Sequence, residues 1–161
     1  MKIASLKDLY IAELQEARSF EGQIANALGE LADRASDGAL REMLAGERPE
    51  SLRHGERVTA LLERHGVDPR AHEDQTMRAI LAEAGKWAAE IDEPAVRDAA
   101  LIASVQRIQH YEIAAYGALV AWAREQGLED AETLAGILEE EKAADDKLST
   151  LAGERVNAGA S

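Results

Sequence analysis

Apolar residues recur every three or four positions along four long stretches of the chain. Steps that alternate between four and three place side chains on one face of an α-helix, as in packed helical bundles. In the first stretch this apolar face consists of Tyr10, Leu14, Ala17, Ile24, Leu28 and Leu31. The helix should begin near Ser5, which can cap its first turn, and Ser36-Asp37-Gly38 interrupts the pattern and offers the next cap.

The second long helix is predicted from about Asp37 to His65. Gly66 follows it, and glycine is common just beyond a helix end. Pro49 lies in its interior, where a proline removes one backbone hydrogen bond. We therefore predict a kink or a short break at residues 46–49.

The third and fourth long helices follow a long connection, residues 66–93. Within it, residues 74–91 have helical spacing, which predicts a short amphipathic helix. The third long helix starts after Asp92, with Pro94 in its first turn, where proline is tolerated. The fourth starts near Asp130, and the small, polar tail 153–161 is predicted to fray.

This order predicts two helical hairpins, residues 5–65 and 94–156, joined by the crossover 66–93 within a single domain, residues 1–161. Hairpins with short turns and one long crossover are the connectivity of the ferritin-like bundle. The predicted fold class is therefore all-α, a ferritin-like four-helix bundle with a short fifth helix in the crossover between the second and third long helices.

Acidic residues occupy positions on the faces that should point into the core. One glutamate lies on each long helix, and two further polar residues follow the second and fourth of them by four positions: Glu21, Glu50, Glu112 and Glu141, with His54 and Asp145. Residues four apart share one helix face. Each member of the first hairpin precedes its counterpart in the second by 91 residues. The repeat predicts pseudo-two-fold symmetry and two adjacent, nearly equivalent cation sites.

We interpret these acids as a metal site, because bound metal ions would neutralise them. Burying unpaired carboxylates is costly, and Arg57 is the basic residue nearest to them on the predicted core faces. Carboxylate oxygens with an imidazole nitrogen suit iron, manganese or zinc. The predicted ligands of two metal ions are Glu21, Glu50, His54, Glu112, Glu141 and Asp145, with Glu50 and Glu141 as bridging ligands. The alternative is that each glutamate is partly exposed, with its carboxylate reaching solvent.

Other polar residues have weaker patterns. Glu47 is either a spare ligand or part of a solvated face, and Glu140 is predicted on a polar face. Tyr116, one turn after Glu112, either hydrogen-bonds a ligand or packs in the bundle. His110 is predicted to point away from the site.

Composition limits the function. Lys and Arg total 18 against 31 Asp and Glu, a formal net charge of −13, which disfavours binding to nucleic acid or anionic membranes. Without cysteine, neither disulfides nor thiolate metal sites form. No apolar run approaches the roughly 20 residues of a membrane span, and the N-terminus lacks a signal-peptide pattern. We expect a cytoplasmic protein.

The chain resembles the YciF-like family of the ferritin-like superfamily, small bacterial stress-associated bundles similar to rubrerythrins. The resemblance rests on residues 96–103 (VRDAALIA), residues 110–117 (HYEIAAYG) and residues 140–142 with Asp145 and Leu148. It implies a ferritin-like fold, a homodimer and a di-iron site, but no settled substrate. Where the family has a His-Leu-Glu-Glu-Thr type of stretch, residues 47–51 are ERPES. That departure, with so few imidazoles, raises manganese as an alternative to iron.

Three functions follow. The first is a di-metal oxidoreductase reacting with a small oxidant, peroxide or dioxygen, for which the sequence assigns no catalytic residue. The second is metal binding without turnover. The third is a structural or partner-binding bundle.

Overall fold

The computed structural model describes residues 2–160, which form a helical bundle with no strand in that range. The helices are α1 Leu6–Arg34, α2 Gly38–Arg64, α3 Gln75–Glu90, α4 Pro94–Glu125 and α5 Asp130–Leu151, followed by a π-helical stretch Ala152–Val156 and a short α6 Asn157–Gly159. The predicted all-α bundle, with four long helices and a short helix in the crossover, is confirmed.

Capping side chains explain why α1, α2 and α3 begin where they do. Ser5 Oγ accepts a hydrogen bond from Asp8 N at 3.1 Å, Asp37 caps α2, and Asp74 caps α3. α2 and α4 end at Gly66 and Gly127, whose positive φ angles of 70° and 63° favour glycine. The predicted boundaries are confirmed at these points.

α2 runs unbroken through Pro49, so the short break predicted at residues 46–49 is wrong. Proline deprives the carbonyl of residue 45 of its helical donor, but Ala45 and Pro49 are both exposed, so water can satisfy that carbonyl. The buried face of α2 is unaffected, and its packing against α1 holds the helix together.

The helices pack as two hairpins that close on each other. α1 packs chiefly on α2 and α4 on α5, while α3 lies against α1 and α4. The core includes the apolar face predicted for α1, whose members are all buried. Asp98, near the start of α4, accepts hydrogen bonds from Ser36 N and Asp37 N at 2.7 Å each, which ties one hairpin to the turn of the other.

The chain stays helical after α5, so the predicted fraying is wrong for residues 153–159; Ser161 lies outside the described residues. Val156 is buried in the core, and Arg155 Nε lies 2.8 Å from Asp37 Oδ2. These contacts help to dock the short tail against the bundle.

Candidate metal centre

Acidic side chains from three long helices meet in the middle of the bundle. Glu21 of α1, Glu112 of α4 and Glu141 of α5 are all buried, at 0%, 2% and 7% exposure. Each lies among mainly apolar buried residues of its helix; in α5 the buried positions are Asp130, Leu134, Ile137, Glu141, Ala144 and Leu148. The structure thus brings together three of the predicted ligands.

α2 contributes His54, which is 2% exposed and faces the same point. Its Nδ1 lies 3.0 Å from Glu141 Oε1 and 3.5 Å from Glu21 Oε1. One donor atom from each of Glu21, His54 and Glu141 lies within 4.8 Å of the others. We call these three residues the central trio.

Glu112 and Glu47 adjoin the central trio on one side. Together with Glu141 they line an interior cavity of about 10 Å³. Gln109 Nε2 donates a hydrogen bond to Glu47 Oε1 at 3.0 Å. Burial, together with the charges of Glu141 and Glu50, raises the pKa of Glu47 to about 8. Glu47 is half-buried and borders the cluster, so its side chain is not fully solvated.

The remaining predicted ligands lie at the edge of this cluster or outside it. The Glu50 side chain is 47% exposed and lies 3.5 Å from Arg53 at the rim of the cavity. Asp145 accepts hydrogen bonds from Gln106 and pairs with exposed His110. The inward positions of α2 are Leu44, Ser51, His54 and Val58, with Glu47 between Leu44 and Ser51. The two hairpins therefore do not share the register that the offset of 91 residues predicted.

Two neighbours fix the orientation of the central trio. Tyr116, fully buried, donates a hydrogen bond from its hydroxyl to Glu21 Oε1 at 2.5 Å. His54 Nε2 lies 2.6 Å from Glu140 Oε2, and Arg57 Nη1 donates to both oxygens of Glu140. With Glu140 accepting the proton on Nε2, the other ring nitrogen faces Glu21 and Glu141.

Burial and mutual repulsion shift the titration of the cluster. Burial raises the pKa of Glu21 and raises that of Glu112 well above the usual range, and the charge of Glu141 adds to both. Burial alone would lower the pKa of His54, but the carboxylates of Glu141 and Glu21 raise it to about 10. In the metal-free protein a proton on His54 is therefore the positive charge that opposes them.

The donor set fits a divalent cation. Three buried atoms of the cluster have no hydrogen-bond partner among residues 2–160: Glu21 Oε2, His54 Nδ1 and Glu112 Oε1. His54 Nδ1 is close to Glu141, but the direction of the contact does not meet hydrogen-bond geometry. Donors on opposite sides of a metal ion with bonds of about 2.1 Å are about 4.2 Å apart, so small side-chain adjustments would let the central trio enclose one ion.

Fold and site together define the class: a four-helix bundle with a carboxylate–histidine cluster at its centre. Among families of known sequence, the profile of DUF892, a domain of unknown function, matches residues 5–161. The chain belongs to this family.

Two relatives extend the match over nearly the whole chain. Protein YciF of Escherichia coli K12 is 34% identical over 159 residues, which cover 98% of this chain and 96% of that protein. The crystal structure of the E. coli stress protein YciF superposes with a TM-score of 0.91, covering 96% of this chain and 99% of that one. YcfI of Rhodopseudomonas palustris, for which a structural role has been suggested, is 35% identical with a TM-score of 0.89, over 92% and 96% of the two chains.

Sequence reasoning left the position of Glu47 open, between a spare ligand and a solvated face, and missed the contact of Glu140 with His54. The spacing of Glu47 to His54, seven residues or two helical turns, was the available signal for the position of Glu47. Nothing in the sequence indicated the contact of Glu140 with His54, because it joins residues of two helices that are 86 positions apart. Within residues 2–160, no helix combines the length and the apolar character needed to cross a membrane.

Proposed function

We propose that the chain is a metal-binding bundle of the ferritin-like superfamily whose central cluster holds divalent cations. One ion would bind the central trio, Glu21, His54 and Glu141, and a second would bind beside it on Glu112 and Glu47, with Glu141 between the two. Iron is the first candidate, and manganese and zinc are the alternatives for this oxygen-rich set. The observation that carries the proposal is the group of three buried atoms without hydrogen-bond partners.

The protein itself supplies little positive charge to this point. The guanidinium of Arg57, the basic residue nearest to the predicted core faces, is directed to Glu140 and to Thr133 O, on the outer side of His54. The metal-free cluster thus relies on raised pKa values and one imidazolium, which is a costly arrangement. A bound cation would remove that cost and displace the protons, so metal binding should stabilise the fold.

Around such an ion, the chain's own residues would orient the ligands and exclude water. Tyr116 holds Glu21 through its hydroxyl, and Glu140 with Arg57 holds the outer nitrogen of His54. Iron bound in this set would supply one-electron chemistry toward peroxide or dioxygen. We propose that activity as the role of the protein, in line with the description of E. coli YciF as a stress protein.

A second candidate function is metal binding without turnover. The cluster contains a single imidazole, which favours this second candidate. Carboxylates bind manganese and magnesium readily, and they adjust the reactivity of bound iron less strongly than imidazoles do. The structural role suggested for the R. palustris relative is the third candidate, and it predicts that no metal binds.

Metal content tests the proposal first. Untagged protein purified without added metal would be analysed by plasma mass spectrometry, together with Glu112→Ala and the control Glu125→Ala, an exposed glutamate on the same helix. We expect about two iron or manganese ions per chain in wild type and control, and a clear loss in Glu112→Ala.

Activity then separates the first two candidates. Iron-loaded wild type should consume peroxide faster than Glu112→Ala if the site turns over. Equal rates would leave binding without turnover, and wild type that takes up no metal even after anaerobic loading would leave the structural role.

The sequence also led us to expect a homodimer in the cytoplasm, and we retain both as part of the proposal. Light scattering of the purified protein would test the first, and fractionation of the source cells the second.

A further inference from the structure

A surface cavity lies between α2 and α5, next to the central cluster. Its volume is about 220 Å³, and its walls include Glu42, Gly46, Glu47, Glu50, Ala144 and Lys147. Three of these residues, Glu47, Glu50 and Ala144, also line the interior cavity that reaches Glu112 and Glu141. The outer and the inner cavity are therefore neighbours that share one wall.

Unpartnered polar atoms lie on the inner side of that wall. Glu112 Oε1 and Gln109 Oε1 belong to residues that are 2% exposed, and neither atom has a hydrogen-bond partner among residues 2–160. Both residues line the inner cavity of about 10 Å³, which is close to the room that one water-sized particle needs. Two buried acceptors at such a cavity call for a particle that carries positive charge or donates hydrogen bonds.

Glu50 is placed to act on the outer side of the wall. Its side chain is half exposed, and its ion pair with Arg53 is long, at 3.5 Å, with the arginine exposed as well. Exposed pairs of this kind contribute little free energy, so the Glu50 carboxylate is free to turn toward either cavity. Gly46 and Ala144, with little or no side chain, leave the outer cavity between the two helices open.

We propose that divalent cations reach the central cluster through this opening between α2 and α5. Glu50 would be the first carboxylate that an incoming ion meets, and Glu47 would pass it to Glu112 and Glu141. Lys147, at the mouth, would oppose the ion's approach. The inference rests on the proposed function, since the route presupposes an ion inside, and it assigns Glu50 to the route and not to the inner ligand set.

Charges at the mouth of a route act mainly on rates. A carboxylate attracts and a lysine repels the ion on its way, and both effects weaken as salt screens them. A residue that does not contact the bound ion leaves the number of bound ions unchanged. This separates a route residue from a ligand.

Stopped-flow absorbance of Co²⁺ binding to the metal-free, full-length protein tests the route. The variants are Glu50→Gln and Lys147→Gln, with Glu63→Gln as control, because Glu63 is an exposed glutamate near the far end of α2. At low ionic strength we expect association to be about threefold slower in Glu50→Gln and about twofold faster in Lys147→Gln. The control should match wild type, all should bind the same number of ions, and the rate differences should shrink in high salt.

Three results would overturn the proposal, and they differ from one another. Equal rates in Glu50→Gln and Glu63→Gln, with Co²⁺ still bound, would place the route elsewhere and leave the proposed function intact. Loss of an ion in Glu50→Gln would make Glu50 a ligand. Wild type that binds no Co²⁺ would remove the proposed function and the route with it.

Discussion

Two buried acidic groups in this bundle differ in how their oxygens are satisfied. At one end, Asp130 of α5 is 5% exposed and is surrounded by donors from α1, α2 and the residue after α2. Tyr10 Oη donates to Asp130 Oδ2 at 2.7 Å, Arg64 Nη2 lies 3.0 Å from Oδ1, and His65 Nε2 lies 2.6 Å from Oδ2. In the middle, the central trio and Glu112 leave three atoms without a partner.

Asp130 connects helices through its partners, whereas the central carboxylates lack enough donors from the described chain. Residue type and burial are alike in the two places, so neither distinguishes them. What differs is the supply of donors from the chain. A carboxylate whose oxygens have partners from the chain stabilises the fold whatever the solution contains. A group with unpartnered atoms would stabilise it only when a cation is present.

Replacing Asp130 should have the largest effect on stability. In Asp130→Asn, an amide NH2 group replaces one carboxylate oxygen. This group cannot accept a hydrogen bond, so a buried donor loses its acceptor. We expect the free energy of unfolding to fall by about 2 kcal/mol, with Tm lower by roughly 4 to 8 °C. Thermal and urea unfolding, followed by circular dichroism, would measure both.

The loss in Asp130→Asn should be the same with and without divalent metal. Asp146→Asn, at an exposed position of the same helix, serves as control and should stay within about 0.5 kcal/mol of wild type. If the loss of stability in Asp130→Asn vanished on metal addition, the two acidic groups would be coupled. That result would contradict the distinction between them.

Replacing Glu112 should change the stability of the metal-free protein in the opposite direction. Its pKa is raised well above the usual range, chiefly by burial and then by the charge of Glu141. The neutral isostere in Glu112→Gln avoids that cost, so we expect the metal-free variant to be more stable than wild type by about 1 to 2 kcal/mol. Urea unfolding in the presence of a chelator would show it.

With metal the order should reverse. Wild type should gain about 2.7 kcal/mol when the free metal concentration is a hundred times Kd, and Glu112→Gln should gain much less. Glu125→Gln, exposed on the same helix, should follow wild type under both conditions. A metal-free Glu112→Gln that is less stable than wild type would show that Glu112 is a structural acid like Asp130.

The stability of the metal-free protein should also depend on pH. The pKa of Glu47 is raised to about 8, chiefly by burial, and that of His54 to about 10 by its carboxylate neighbours. Both groups bind protons more tightly in the folded state than in the unfolded state. Their contribution to stability is therefore largest at low pH and is lost as pH rises, through pH 8 for Glu47 and pH 10 for His54.

Urea unfolding at several pH values between 5 and 8, with chelator present, would measure this slope. The free energy of unfolding should decrease toward pH 8, and the decrease should be smaller in Glu47→Gln. Glu140, whose pKa is lowered by its hydrogen bonds to His54 and Arg57 despite partial burial, acts only at more acidic pH. Saturating metal should flatten or reverse the slope, because protons and metal compete for the same atoms.

Helix limits could be predicted because they depend on neighbouring residues. Ser5 and Asp37 cap helices as the sequence indicated, Asp74 caps a third helix, and Gly66 and Gly127 follow two helix ends. The rotation of each helix about its axis could be predicted less well from the sequence. In α2, both residue 47 and residue 50 lie near the core edge, and packing against α1 and α5 turned residue 47 inward.

By itself, the sequence determined the all-α class, the helix boundaries, and the burial of Glu21, His54, Glu112 and Glu141, since apolar spacing and capping act within a few turns of one helix. The tertiary structure decided which of these groups meet. It placed Glu47 in a hydrogen bond with buried Gln109, left Glu50 half-exposed, and directed Asp145 toward Gln106 and His110. It also brought Glu140 to His54. Such contacts depend on how separate helices are rotated and shifted against one another, and spacing along one helix does not specify that.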